Sequence, residues 1–211
     1  MTTIAVFGGT GRTGRLVVDR ALAAGHSVRM LARTPGAVTQ SGPALTIVRG
    51  DILDAAAVSE VVAGSDAVIS VFGQVKGSSP TVQTDGTRTI VSAMAEHGVN
   101  RIVSLSGGGL RYDEKDRPKV ADRIIRLLLR MLAGRVLDDA KGHLEVLEAS
   151  GRDWTVVRAP VLKDNPRIGS YRVGWVGVGT GTSIPRADLA DFLLTQVDDR
   201  TFVRQLPFVS S

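Results

Sequence analysis

The chain has 211 residues, no cysteine, and 26 Lys and Arg against 21 Asp and Glu, which gives a formal net charge of +5. The absence of cysteine excludes disulfides, thiolate metal sites and a cysteine nucleophile, and three scattered histidines predict no metal site. The pI of about 10.1 is typical of nucleic-acid-binding proteins. The basic residues are spread along the chain, however, which favours a generic basic surface or one that attracts an anionic ligand.

No segment is typical of export or of a membrane span. Met1 to Ile4 lead directly into a strand-like segment, without a basic region or a cleavage pattern. The most apolar stretch, residues 124–132, is interrupted by Arg126 and Arg130 and is far shorter than the ~20 residues that span a bilayer. We therefore expect a cytoplasmic protein without membrane or nucleic-acid partners.

Short apolar strands alternate with helical patterns in the first half of the chain. Continuous apolar strands predict burial on both faces, and the alternation predicts a doubly wound parallel sheet, the Rossmann fold. The predicted strands are 4–7, 28–32, 45–48, 67–71 and 101–105, and the predicted helices are 16–24, 55–62 and 82–96.

The second half continues without a linker or a repeat. The predicted elements are a polar loop at 107–119, an amphipathic helix at 120–149 broken near Gly134, a strand at 154–157, a Gly-rich hairpin or loose loop at 169–183 and a helix at 187–197. We expect one domain over residues 1–211, in which residues 155–211 form a small C-terminal cap on the substrate side.

The most informative segment is the turn Gly8-Gly9-Thr10-Gly11-Arg12-Thr13-Gly14, which follows the first strand and opens the first helix. Glycines there permit a tight turn, close approach of backbone to a pyrophosphate, and close packing of the helix on the strand. The free N–H groups at the helix N-terminus favour an anion. In this context the spacing predicts a dinucleotide site rather than an empty glycine turn.

The end of the second strand indicates which nucleotide is bound. NAD sites usually carry a carboxylate there, which binds the ribose 2′-hydroxyl. This sequence has Arg33 and no carboxylate, and a guanidinium pairs with a phosphate through two hydrogen bonds. Arg33, together with Arg12, predicts a preference for NADP(H) over NAD(H); the alternative is a solvated arginine.

Three further strand ends contribute candidate residues. Asp51, beside Ile52, can accept a hydrogen bond from the adenine amine or cap the next helix. Phe72-Gly73 ends the fourth strand, where glycine lets backbone pass close to the cofactor, and Ser106 ends the fifth. Ligands of such sheets bind at these carboxyl ends.

The chain resembles the atypical short-chain dehydrogenases/reductases, and more closely the NAD(P)H-binding group of NmrA-like proteins and biliverdin-IXβ/flavin reductases. The likeness runs over nearly the whole chain and is carried by residues 8–14, 49–54, 64–69, 94–99 and 149–151. It implies that Gly8 to Gly14 hold the pyrophosphate, Arg33 the 2′-phosphate, and Asp51 and Ile52 the adenine. It also implies that Phe72, Gly73, Ser106 and the segment Ala159-Pro160-Val161 lie near the ribose and nicotinamide.

The catalytic positions depart from the pattern of these families. Short-chain dehydrogenases commonly use Tyr-x-x-x-Lys, in which the lysine lowers the pKa of the tyrosine. Here Lys141 lies in the corresponding helix, but Leu137, or Ala140 in another register, replaces the tyrosine. Flavin-reductase-like proteins carry a histidine where this chain has Val161. Ser106 and Lys141 are left as the catalytic candidates.

Three arginines bear on the charge of the substrate. Arg123, Arg126 and Arg130 share one helix face by their spacing. This face is either solvated or forms a basic rim for an anionic substrate.

These features predict an NADPH-dependent oxidoreductase that transfers hydride to a small conjugated acceptor such as a flavin, a quinone or a related carbonyl. A nicotinamide stacked against such an acceptor can react through orientation alone. Because the usual tyrosine is missing, the alternative is a non-catalytic NADP(H)-binding sensor or regulator of the NmrA-like kind. Either function is compatible with a monomer or a small homo-oligomer.

Overall fold

The computed structural model describes residues 1–112 and 114–211, apart from the side chains at positions 121, 123, 125, 126 and 129. Strands and helices alternate over much of the first half of the described chain, and four strands follow one another between the last two helices. The elements are β1 Thr3–Phe7, α1 Arg12–Ala23, β2 Ser27–Ala32, β3 Leu45–Arg49, α2 Ala55–Val62, β4 Ala67–Ser70, α3 Val82–Glu96, β5 Arg101–Gly107, α4 Val120–Ala149, β6 Asp153–Ala159, β7 Val161–Lys163, β8 Arg172–Gly174, β9 Ser183–Pro185, α5 Arg186–Thr195 and β10 Phe208–Ser210.

Eight of the strands form one sheet in the order β3-β2-β1-β4-β5-β6-β10-β8. All neighbours in it are parallel except β8, which runs antiparallel to β10. The strands β7 and β9 pair in parallel as a separate two-stranded sheet. The predicted doubly wound parallel sheet is confirmed.

Helices cover both faces of the sheet, and successive residues of each central strand alternate between them. In β1, Ile4 and Val6 belong to a buried cluster that includes residues of α1 and α5. Ala5 and Phe7 belong to the opposite cluster, which includes residues of α2, α3 and α4. Burial on both faces explains why the strands are continuously apolar.

The last third of the chain contributes more to the main sheet than a cap alone would. The strands β6 and β10 lie side by side in the sheet, and α5 joins the core through Leu189, Ala190 and Leu193. The strands β7 and β9 form the separate small sheet, and the cap on the substrate side stays a prediction. Much of the Gly-rich segment 169–183 has no regular structure, apart from β8 and an isolated bridge between Trp175 and Val178.

Several element boundaries differ from the sequence prediction by one to four residues, and two of these differences have a clear local cause. The helix α1 begins at Arg12, four residues before the predicted start, because Gly11 is extended (φ −74°, ψ 166°) and the turn leads directly into the helix. The strand β5 extends to Gly107 because it stays paired with β6 as far as Ala159.

The long helix α4 is bent where the sequence predicts a break. Ala133, next to Gly134, has non-helical angles of φ −138° and ψ 33°. Beyond the bend, Ala140 and Leu147 pack into the core. Within the described part of the chain, no helix, α4 included, is long and apolar enough to cross a membrane.

A buried histidine joins β5 to the helices α3 and α4. His143 is fully buried, with Nδ1 2.7 Å from Thr87 Oγ1 and Nε2 3.1 Å from Ser104 Oγ. The Thr87 hydroxyl donates to the Gln83 carbonyl oxygen at 2.6 Å, so the neutral ring donates from Nδ1 and accepts at Nε2. Burial lowers the pKa of His143 from 6.5 to about 4.

This ring makes the stability of the protein depend on pH. Between pH 6.5 and about 4 the unfolded chain binds a proton at His143 that the folded chain does not, so acid favours unfolding. We expect the free energy of unfolding to fall by up to about 3 kcal/mol over this range on account of His143. Chemical denaturation at a series of pH values measures the fall.

Glutamine cannot titrate, so His143→Gln should remove this part of the pH dependence, whereas His97→Gln, at an exposed histidine, should retain it. An unchanged pH profile in His143→Gln would contradict the assignment.

Candidate functional site

The site begins where the strand order reverses, between β1 and β4. Gly8 follows β1 with φ +84°, and a Cβ added there would lie 2.6 Å from the backbone nitrogen of Phe72. This distance is shorter than any normal contact, so only glycine lets the two chain segments approach as they do. The resulting crevice at the carboxyl ends of parallel strands is where such sheets bind ligands.

The glycine turn leaves the start of α1 open. The Gly11 N–H donates to the Gly8 carbonyl oxygen at 3.0 Å, which closes the turn. A Cβ at Gly14 would lie 2.0 Å from the same oxygen. No side chain caps α1 at its N-cap residue Gly11, and the first turn holds no acidic residue. Its N–H groups are therefore free to bind an anion.

A cavity of about 260 Å³ follows this crevice. It brings together most of the residues that the sequence assigns to the cofactor. The predicted residues that line it are Gly8, Thr10, Gly11, Arg33, Asp51, Ile52, Phe72 and Gly73.

Two charged residues of this cavity are exposed. Arg33 follows β2, and its guanidinium makes no hydrogen bond or ion pair within the described residues. The Oδ1 atom of Asp51 accepts from the Leu53 N–H at 3.1 Å. Helix capping falls to Asp54, which accepts from Ala56 and Ala57. Asp51 is therefore not needed as a helix cap.

Arg12 is directed elsewhere. Its Nη1 lies 3.1 Å from Asp164 Oδ2, and both side chains are exposed. Asp164 also accepts from Arg186 at 2.8 Å. The ion pair holds the segment after β7 beside the glycine turn, and Arg12 does not line the cavity. Thr13 and Gly14 also lie outside the lining, in the first turn of α1.

A second cavity of about 480 Å³, mostly apolar, lies at the ends of β5 and β6. Its walls come from the loop after β5, from α4 and from the segment after β6. Pro160 and Val161 line this cavity rather than the first one. Residues of α4 that line it are Asp122, Ala133, Val136 and Leu137.

The two catalytic candidates differ in their burial and in their contacts. Ser106 is buried next to Gly107, a lining residue of the second cavity, and its Oγ has no hydrogen-bond partner within the described residues. Lys141 is exposed, and its Nζ lies 3.3 Å from Oε1 of Glu145. Neither Ser106 nor Lys141 is among the residues that line the two cavities.

The predicted arginine face is described only in part. Arg130 is exposed, 3.9 Å from Asp138, and the side chains of Arg123 and Arg126 lie outside the described residues. Within the described residues, no group of three or more His, Asp and Glu could hold a metal ion.

The family of the chain is decided by its match to a family model. Residues 8–200 match the model of the NAD(P)H-binding family. This range includes the whole glycine turn and the strand ends beside both cavities.

The chain belongs to the NAD(P)H-binding family.

The relatives differ from it in length. The chain is 38% identical to an uncharacterized protein of Mycobacterium tuberculosis over 106 residues, which is 50% of this chain and 12% of that protein. It is 29% identical over 197 residues to the (4-alkanoyl-5-oxo-2,5-dihydrofuran-3-yl)methyl phosphate reductase of Streptomyces griseus, over 93% of this chain and 59% of the relative. The chain thus spans a small part of the first relative and about three fifths of the second.

A solved structure shares the fold. A short-chain dehydrogenase/reductase from Veillonella parvula in complex with NADP superposes with a TM-score of 0.79 at 16% identity, covering 100% of this chain and 94% of that one. The resemblance expected from the sequence is confirmed at the level of the family and the fold.

A carboxylate that the sequence analysis missed supports the cofactor cavity. Asp139 of α4 accepts hydrogen bonds from the backbone N–H groups of Gln83 and Thr84, at 3.0 and 2.8 Å, and so caps α3 from another helix. It also accepts from Nε2 of Gln74, a lining residue of the cavity, at 2.9 Å. Burial alone would raise the pKa of Asp139, but the hydrogen bonds from Gln74, Thr84 and Gln83 lower it.

A second missed carboxylate shapes the apolar cavity. Arg158 of β6 is fully buried and binds both oxygens of Asp116, at 2.7 and 2.8 Å. Asp116 also accepts from the N–H groups of Tyr112 and Val176. Burial raises the pKa of Asp116, and the hydrogen bonds and charge of Arg158 outweigh it, so the net shift is downward. Neither residue carries a sequence motif that would have revealed the pair.

Gly14→Ala should weaken NAD(P)(H) binding by at least tenfold, or about 1.4 kcal/mol. The added Cβ, 2.0 Å from the Gly8 oxygen, forces the glycine turn away from its present path. Isothermal titration calorimetry measures the affinity. Gly36→Ala is the control, since its added Cβ meets nothing within 4 Å. Equal affinities of the two variants would show that the turn does not hold the nucleotide.

Proposed function

We propose that this protein transfers hydride from NADPH to a small conjugated acceptor such as a flavin, a quinone or a related carbonyl. The observation that carries the proposal is the second, mostly apolar cavity, which opens at the same edge of the sheet as the glycine turn. An apolar site beside a nucleotide site suits a flat, uncharged ring system. In this proposal one domain provides both sites, and residues 155–211 supply the acceptor side.

The chain's own residues fit a dinucleotide. The close approach at Gly8 makes room for a pyrophosphate, and the open first turn of α1 supplies N–H donors for it. Asp51 has an oxygen left to accept from an adenine amine. Arg33 is exposed and has no partner within the described residues, and in this proposal it pairs with the 2′-phosphate. These features support NADPH over NADH.

The nicotinamide, when bound, supplies the hydride, and the protein orients the acceptor against it. Orientation is an effective contribution because both reactants are held in one geometry. Arg158 and Asp116 fix the wall of the acceptor cavity. In this proposal the buried hydroxyl of Ser106, which has no partner within the described residues and adjoins the lining residue Gly107, donates to the carbonyl oxygen of the acceptor. The Streptomyces relative is named for an unsaturated carbonyl that carries a phosphate, (4-alkanoyl-5-oxo-2,5-dihydrofuran-3-yl)methyl phosphate.

One observation favours the alternative of a non-catalytic NADP(H) sensor. Leu137 lines the acceptor cavity where a tyrosine would stand, and Lys141 is directed to solvent. The chain therefore lacks the proton-donating pair of the short-chain dehydrogenases.

Turnover distinguishes the two functions. Purified protein should oxidise NADPH with at least one member of a panel of flavins, quinones and unsaturated carbonyls. Ser106→Ala should lower kcat by about tenfold if its hydroxyl meets the acceptor, and Lys141→Ala, with its exposed lysine, should leave kcat unchanged. No turnover over the whole panel, with NADP⁺ and NADPH bound equally well, would refute the reductase and support the sensor.

Arg33→Asp tests the nucleotide preference. The variant should bind NADPH at least tenfold more weakly, a loss of about 1.4 kcal/mol or more, while NADH binding is spared or improved. Titration with each nucleotide measures the two affinities. Arg172→Asp makes the same charge change on β8, away from the cavity, and should alter neither. An equal loss of both nucleotides in Arg33→Asp would show that Arg33 does not read the 2′-phosphate.

A further inference from the structure

The first half of α4 presents a row of large apolar side chains to solvent. We call them the α4 stripe, and each is more than half exposed. They are Val120, Ile124, Leu127, Leu128, Met131 and Leu132. Their spacing of i, i+4, i+7, i+8, i+11 and i+12 places them on one helix face. Folded soluble domains rarely leave so large an apolar surface uncovered unless it binds something.

The surroundings of the stripe are basic. From Arg117 to Arg135 the sequence has six basic residues and one acidic residue. Lys119, Arg130 and Arg135 are exposed, with Arg130 Nη1 3.9 Å from Oδ1 of the exposed Asp138. The acid within this segment, Asp122, accepts from the Lys119 N–H at 2.8 Å. The partner of this surface is therefore expected to combine apolar and anionic groups.

We propose that the α4 stripe docks on an anionic lipid surface. An amphipathic helix with an apolar face and basic flanks lies in the interface of such a bilayer, with its apolar side chains among the acyl chains and its cations near the phosphates. A second copy of the chain fits less well, because pairing two stripes brings their basic flanks together. Docking of this kind needs no membrane-spanning helix.

The acceptor cavity opens next to the stripe. Val136, one turn beyond Leu132, and Val161 both line that cavity and are both exposed, at 45% and 66%. These two exposed side chains give the cavity an apolar edge close in sequence to the end of the stripe, while Arg111, Asp116 and Asp122 line other parts of it. This step rests on the proposed function: an apolar acceptor dissolved in the bilayer, such as a quinone with a hydrocarbon chain, would enter the cavity from the lipid.

Vesicle sedimentation tests the docking directly. The full chain should bind vesicles of phosphatidylcholine with about one third phosphatidylglycerol at least tenfold more tightly than pure phosphatidylcholine, and high salt should weaken the binding. The double variant Leu127→Ser/Met131→Ser should lose at least tenfold in vesicle affinity. Ile47→Ser, at a partly exposed residue of the edge strand β3, should bind as the unchanged protein does.

Thermal unfolding checks that the double variant is folded, and Arg130→Glu/Arg135→Glu provides a second variant that should lose the preference for anionic vesicles. Absence of vesicle binding by the unchanged protein overturns the proposal. So does a dimer in solution that dissociates in the double variant, because a second copy would then cover the stripe.

A kinetic comparison separates this proposal from the reductase function. The double variant should reduce a water-soluble quinone as the unchanged protein does but lose at least tenfold in rate with a vesicle-borne quinone. Vesicle binding without turnover of either quinone would refute the reductase function and leave the docking standing. Turnover without vesicle binding would refute the docking and leave the reductase function standing.

Discussion

The close approach of two backbones at the carboxyl ends of β1 and β4 is the constraint on which the nucleotide site depends. Gly8 packs against the backbone of Phe72, and Gly14 packs against the carbonyl of Gly8, each at a distance that no side chain would allow. The start of α1 is thereby brought to the edge of the sheet with its N–H groups free. The crevice, the cavity and the position of Arg33 all follow from this packing.

Two buried carboxylates then build the walls around the crevice. Asp139 joins the start of α3 to Gln74, beside the nucleotide cavity. Asp116 joins β6 to the loops that enclose the acceptor cavity. Each carboxylate is satisfied by several donors, which is what allows a charge to be buried. The backbone around the two cavities is thus held by charge-assisted hydrogen bonds rather than by apolar contacts alone.

The sequence predicts the parts of this structure that depend on local patterns. Apolar strands, the helices α2 and α3 and the glycine turn are recognisable because their periodicity or spacing lies within a few residues. Arg12, predicted to assist Arg33 at the 2′-phosphate, lies outside the cavity lining and pairs with Asp164, which is 152 residues away in the chain and therefore outside any local pattern. Lys141 and Asp139 also depend on contacts that are distant in the chain. The two residues are two positions apart on a helix and therefore face opposite ways. Because Asp139 caps α3, Lys141 faces the solvent.

The cap of α3 by Asp139 also bears on the order in which the molecule can be completed. The donor Thr84 precedes its acceptor by 55 residues, so during synthesis the first turn of α3 emerges well before the group that satisfies it. Because α4 is made after β1 to β5, the hydrogen bonds that Asp139 accepts from α3 and from Gln74 can form only once α4 has been added. A nascent chain that ends before α4 would therefore have the glycine turn but not the carboxylate that holds Gln74 and the start of α3 beside the nucleotide cavity.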